Sequence, residues 1–209
     1  MNRRQATTSL ATLAVAGLTR AQSATPAIGA RYATLQDVQP PTKPGKIEVI
    51  EFFSYGCSAC NIFDPSLERW AAAIPQDVAF RRIPVPFLGN AENFQRTFFA
   101  LETTGMTAKV HSRIFEAVHV KKQRLLKPEE IADVIANAGE DRAKFLSAFN
   151  TFSMSAFLAR AKLATANYRI DQIPALAIGG RYTTSPGQAG GAREALAVTD
   201  VLIQKVRAM

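Results

Sequence analysis

Residues 46–60 read KIEVIEFFSYGCSAC. The first nine are β-branched and aromatic and run into Tyr55-Gly56, the pattern of a strand with a sharp end. From Cys57 the pattern changes: Phe63, Leu67, Trp70 and Ile74 recur at helical spacing, so a helix opens at the cysteine pair. Pro65 lies inside that helix and should kink it, and Pro75 and Asp77 end it. A second strand is expected over 78–85, closed by Pro84 and Pro86. Strand, turn, helix and strand in this order make the start of an α/β layer structure.

The chain then turns helical. Helices are expected over 91–104 (Phe94, Phe98, Leu101, with Gly105 as the stop) and over 107–120 (Val110, Ile114, Val118). Another opens at Pro128 and ends before Gly139. A short one follows over 141–149, and the longest is expected over 153–168. Strand character returns at 175–178, Gly179-Gly180 reads as a two-residue hairpin turn, and 181–184 is the partner strand. Residues 185–191 read as a loop before a last helix over 192–207, with Val198, Leu202 and Val206 on one face. A short strand is expected near 32–35. Residues 88–168 are then a helical insertion in an α/β domain made of 24–87 and 169–209. Without it about 105 residues remain, a size on which one layered domain can stand.

Of 209 residues, 47% are hydrophobic and 20% charged, which excludes a disordered or low-complexity chain. No run of 18 apolar residues encodes an ordinary membrane span. Residues 1–23 read as an export signal: Arg3 and Arg4, an apolar stretch over 10–18, and the small-x-small site Ala21-Gln22-Ser23. The arginine pair raises a twin-arginine route, but Gln5-Ala6-Thr7 fit it poorly, so general secretion is expected. Removing this segment takes the net charge from +8 to +5, because Arg3, Arg4 and Arg20 leave with it. The doublets Arg81-Arg82 and Lys121-Lys122 are scattered and lack the aromatic interleaving of a nucleic-acid surface. They read as solvated surface, with no nucleic-acid partner. Export means an oxidising compartment, where a close cysteine pair can form a disulfide.

Cys57-Ser58-Ala59-Cys60 places two sulfurs across the first turn of a helix. Unpaired N–H groups and a partial positive charge at that end stabilise a thiolate. An ordinary thiol of pKa ~8.5 is only ~3% ionised at pH 7, so depression below 7 raises the reactive fraction more than tenfold. A structural staple is one competing reading, but so small a loop gains only ~2 kcal/mol on the chain-entropy model. A metal site is another. Zinc needs four ligands, and only His111 and His119 remain, eight apart on a distant helix, where they read as surface residues. Two inert buried thiols are the third, and the helix-start position argues against them.

Glu51, six residues before Cys57, shares a strand face with Ile47, Val49 and Phe53. Buried there, its carboxyl would have a raised pKa and could take the Cys60 proton. On a partly open face it would instead pair with a surface cation. Ile173-Pro174 precedes the strand expected at 175–178; proline is ordinary there, and sequence alone does not say which X-Pro bond is cis.

EFFSYGCSAC, the insertion length, and IPALAIGGRYTT before a closing helix together resemble the DsbA family, in particular its β-proteobacterial kind, over nearly the whole mature chain. The resemblance implies a thioredoxin fold with an inserted helical domain and a periplasmic thiol:disulfide oxidoreductase without metal or organic cofactor. It implies Cys57 as the exposed nucleophile, Cys60 as the resolving thiol and Glu51 as a buried acid beneath them. Ile173-Pro174 would be the cis-proline loop that pairs with substrate backbone, and Pro65 the kink proline. Implied partners are exported proteins with free thiols and a DsbB-like, quinone-linked membrane oxidase; a monomer is expected.

The motif departs from the family in carrying Ser58-Ala59 where most members have Pro-His. A histidine there stabilises the thiolate by charge and hydrogen bonding. A higher Cys57 pKa and a less oxidising disulfide are therefore expected. A reductase or isomerase with specialised substrates is the nearest alternative function. A DsbC-like isomerase is disfavoured, since only about 20 mature residues precede the strand expected from Lys46, too few for an N-terminal dimerisation domain. A module that binds metal or peptide without turnover is the alternative from another class.

Overall fold

The computed structural model describes residues 31–209; the expected export signal lies outside the described residues. Chain order is β1 (Ala33–Thr34), β2 (Ile47–Phe53), α1 (Ser58–Ala71), β3 (Val78–Pro84), α2 (Ala91–Thr104), α3 (Thr107–His119), α4 (Pro128–Asn137), α5 (Arg142–Phe149), α6 (Met154–Asn167), β4 (Ala175–Ile178), β5 (Tyr182–Thr184), α7 (Pro186–Ala189) and α8 (Ala192–Arg207). The strands form one sheet in the order β1-β5-β4-β2-β3. β2 runs parallel to β3, with Glu51 opposite Arg82, and antiparallel to β4, with Glu51 opposite Leu176. Flanked by β4 and β3, β2 is buried on both faces beyond its first residue, which is why its sequence is a near-continuous apolar run.

Side chains from the two faces of the sheet feed two cores. One joins Val49, Leu176 and Ile178 to Phe63 and Leu67 of α1 and Val198 and Leu202 of α8. The other joins Ile50, Phe52 and Phe53 to Phe98 and Leu101 of α2, Val110 and Ile114 of α3, Ile131 and Ile135 of α4, and Phe145 of α5. The block α2–α6, between β3 and β4 in the chain, thus shares a continuous core with the sheet. Among the described residues no helix is long and apolar enough to cross a membrane.

Several expected boundaries move. Among the described residues the longest helix is α8, not the one expected over 153–168. The expected loop 185–191 holds the one-turn helix α7: Ser185 caps it by accepting the Gln188 N–H, and Pro186 sits at its first position. Gly179 and Gly180 both have positive φ, 58° and 65°, as a tight hairpin turn requires. A Cβ on Gly180 would collide with the Gln39 backbone carbonyl, and one on Gly179 would meet Val206 at 2.6 Å. Gly180→Ala is expected to lower stability in urea unfolding by about 3 kcal/mol, strain plus overpacking. Gly139→Ala, also at positive φ but in open space, should lose only about 1 kcal/mol.

Candidate active site

β2 ends at Phe53, and Ser54-Tyr55-Gly56 turns the chain into α1. The turn is closed by Cys57 N–H donating to the Ser54 carbonyl at 3.0 Å, and the Gly56 N–H donates to Ser54 Oγ. Cys57 is the N-cap of α1, with extended backbone, and its Sγ accepts the Cys60 N–H at 3.1 Å. Serine or aspartate oxygen normally fills this role; here a sulfur does. Both cysteines are free thiols. Cys57 is 8% exposed and Cys60 fully buried. A hydrogen bond from the Cys60 thiol, opposed by burial and helped by the N–H groups of Cys60 and Ala59, pulls Cys57 down to about 7. Burial and the neighbouring Cys57 push Cys60 far above the ordinary thiol range. The two sulfurs are thus unequal, one poised to ionise near neutrality and the other to hold its proton. Ser58 Oγ is not among the groups holding Cys57 down.

Across from the pair lies the loop before β4. The Ile173–Pro174 peptide is cis, and Cys57 Sγ sits 3.7 Å from the Ile173 carbonyl, to which its thiol donates. A cavity of about 300 Å³ flanks this contact, lined among others by Ala59, Ile62, Ile173, Pro174 and Pro186. Ile62 is 75% exposed, so the site opens onto apolar surface.

Beneath the pair, Glu51 is buried, and the cation it pairs with is Arg82, at 2.7 Å, itself only 9% exposed. Glu51 is buried with a raised pKa, as the closed-face expectation had it, and the cation it pairs with is buried too rather than on the surface. Arg82 also reaches Asp64 at 3.4 Å and Glu68 at 2.8 Å. One guanidinium against three carboxylates is unbalanced, and the imbalance falls on the most buried acid. Burial raises Glu51 to about 7, with Arg82 pulling it down and Asp64 and Glu68 adding to the rise. Its charge reaches Cys60 and pushes that thiol up further. The reading of Arg81-Arg82 as solvated surface is corrected. Parallel pairing sets both against β2, where Arg82 holds Glu51 and Arg81 holds Glu48 at 2.9 Å.

His111 and His119 also depart from expectation. His111 is buried, its Nε2 3.1 Å from Asp64 and its Nδ1 2.8 Å from the Tyr55 hydroxyl. Half-buried His119 donates from Nε2 to the Tyr55 carbonyl at 2.8 Å. The signal was available: His111, Phe115 and His119 stand four apart on one stripe of α3. Asp64 likewise follows Cys60 by four residues, on the side of α1 that carries the buried Leu67. Asp64, Glu68 and His111 are close enough to resemble a metal site, but Arg82 already supplies the cation there, and both His111 nitrogens are engaged.

A helix-start Cys-x-x-Cys of unequal thiols, facing a cis-proline loop on an α/β sheet, defines a class: the thiol:disulfide oxidoreductases of thioredoxin fold. The profile of the DSBA-like thioredoxin domain matches residues 87–193. The thiol:disulfide interchange protein DsbA of Azotobacter vinelandii is 40% identical over 192 residues, 90% of each chain. That of Burkholderia cepacia is 35% identical over 193 residues, 92% of this chain and 91% of its own. The crystal structure of Pseudomonas aeruginosa DsbA superposes with a TM-score of 0.83 at 39% identity, covering 86% of this chain and 94% of that one. The chain belongs to the DsbA family.

The raised Glu51 gives a signed pH effect. Its folded value, about 7, lies above its unfolded value, ~4.3. Its contribution to stability is therefore complete below ~4.3 and is lost as pH rises through about 7. The urea-unfolding stability of the wild type minus that of Glu51→Gln should fall as pH rises through this window; the difference cancels buried His111, whose lowered pKa acts in the opposite direction. Arg82→Met, which leaves Glu51 and Asp64 without their cation, is expected to destabilise by about 3–5 kcal/mol at pH 7.

Proposed function

We propose that this protein is an exported oxidase of protein thiols, working in the periplasm through a Cys57–Cys60 disulfide. The observation that carries this reading is the inequality of the two sulfurs, Cys57 held near 7 and Cys60 far above it. A substrate thiolate attacks Cys57 Sγ; the Cys57–Cys60 bond breaks and its electron pair leaves on Cys60. Cys60 then takes a proton, for which Glu51, close to half-protonated at neutral pH, is the nearby donor. A second substrate thiolate attacks the substrate sulfur of the mixed disulfide and expels Cys57 as a thiolate. The two substrate thiolates lose two electrons and the pair gains them; Cys60 ends as a thiol with the one proton it took, and Cys57 ends as a thiolate. A low Cys57 pKa favours that last step, because a more acidic thiol leaves faster.

Ile173 and Pro174 line the apolar cavity beside Cys57 and offer backbone groups with which an extended substrate segment pairs. Residues 1–23 serve as the export signal, 24–87 with 169–209 as the thioredoxin-like domain, and 88–168 as the inserted helical domain. Exported proteins with free thiols are the substrates, a DsbB-like membrane oxidase restores the disulfide, and the protein works as a monomer without cofactor.

Ser58-Ala59 leaves Cys57 to the Cys60 thiol and to backbone N–H groups. Each unit of pKa above that of a Pro-His relative makes the disulfide less oxidising by up to ~1.4 kcal/mol, or ~30 mV. Equilibration of the mature protein with glutathione buffers tests the reading. A potential above the glutathione couple, yet below that of Pro-His relatives, is expected. A value at or below that couple would make the protein a reductase or isomerase. Incubated with a small disulfide such as oxidised glutathione, Cys60→Ser should accumulate a mixed disulfide at Cys57, with one glutathione thiolate expelled, whereas Cys57→Ser should form none. Mass spectrometry of the quenched mixture reads both.

A further inference from the structure

We propose that His111 and His119, both on the inserted helix α3, are positioning residues that act on Cys57 through Tyr55. The proposal rests on Cys57 being the reactive thiol, as above. Tyr55 stands two residues before Cys57, in the turn that aims the capping sulfur, and α3 grips it twice. His119 holds its backbone carbonyl at 2.8 Å. His111 holds its side-chain hydroxyl at 2.8 Å. The Tyr55 ring is fully buried, packed edge-on against Phe53 and Phe115 and tilted against His111, so the hydroxyl has a fixed address.

The donors follow from charge. Burial lowers the His111 pKa, with Asp64 opposing and Arg82 reinforcing, so the ring is neutral at pH 7. Its one proton sits on Nε2, facing the Asp64 carboxylate, and Nδ1 accepts from the Tyr55 hydroxyl. Burial also holds Tyr55 well above its ordinary value, so it keeps the proton it donates. One hydrogen-bonded line therefore runs from Tyr55 through His111, Asp64 and Arg82 to Glu51. It joins the turn that carries Cys57 to the acid beneath Cys60. The groups facing His111 are Tyr55 from the turn, Asp64 and Glu68 from α1, and Arg82 from β3. His119 faces the Tyr55 carbonyl and the Phe115 ring.

Positioning matters because the thiolate is stabilised by contacts with little tolerance. The Cys60 N–H reaches Sγ at 3.1 Å, and hydrogen-bond energy falls steeply with misalignment. Only Gly56 separates Tyr55 from Cys57, so a turn that loses the grip on Tyr55 carries Sγ away from its place in front of the helix N-terminus. The inserted block thus tunes the cysteine chemistry without touching either sulfur.

The test is to titrate the Cys57 thiolate by its ultraviolet absorbance and to measure the reduction potential in a set of full-length mature variants. His119→Leu should raise the Cys57 pKa by about one unit, a tenfold loss of thiolate below it. His119→Gln, whose amide still donates to the Tyr55 carbonyl, should restore the wild-type titration. Tyr55→Phe, which releases only the hydroxyl, should shift it by a smaller amount in the same direction. Ile131→Ala, a core truncation in α4 away from Tyr55, should lower thermal stability and leave the titration where it was. Stability losses in His119→Leu and Tyr55→Phe with unmoved pKa and potential would overturn the clamp. A wild-type Cys57 that neither titrates near neutrality nor exchanges with thiols would instead overturn the underlying assignment, and the clamp with it.

Discussion

The arrangement depends on one capping interaction. A helix leaves its first N–H groups without partners, and α1 satisfies one of them with the sulfur of Cys57. The thiol that caps the helix is thereby the thiol that ionises. The charge it gains on ionising is the charge a helix N-terminus favours. Helix formation and thiolate formation are two faces of one contact, so every feature that places the start of α1 also sets the chemistry. Those features are the β2 strand that delivers the turn, the Ser54 carbonyl that closes it, and the α3 histidines that hold Tyr55.

Beneath that contact the protein tolerates a buried charge cluster that an apolar core would not need. Arg82 is shared among Glu51, Asp64 and Glu68, and the surplus of negative charge is absorbed by lifting Glu51 toward neutrality. The carboxyl lifted to about 7 thus shares the interior with the thiol that is held far above its ordinary range. The cluster also welds β2, β3, α1 and α3 together through polar contacts, at the point where the sheet meets the helical block.

Periodicity and turn chemistry made most of the fold legible. α2 and α8 occupy the expected spans, and the glycine pair turns the hairpin as its composition requires. The cysteine pair stood out locally, at the handover from strand to helix, whereas Ile173-Pro174 drew attention only through the family resemblance. What stayed hidden was long-range pairing of polar groups. Nothing local distinguishes Arg82 from Arg81, and the stripe that His111 and His119 share with Phe115 does not name their partners. Their roles follow from a β2–β3 register and an α1–α3 packing that only the folded chain specifies. Ser185-Pro186 was misread for a local reason: a Gly-containing stretch looked like a loop, although serine followed by proline is a helix-start signal.

The order of strands has a consequence for how the molecule comes into being. β4 lies at the middle of the sheet, between β2 and β5, yet it is drawn from residues 175–178 near the end of the chain. A nascent polypeptide that has reached α5 already contains both cysteines and most of the helical block. It lacks the strand that completes the sheet beside β2 and the proline loop that faces Cys57. Vectorial synthesis therefore delivers the reactive pair early and its surroundings late, and the site is assembled only when the final stretch of chain closes over the sheet.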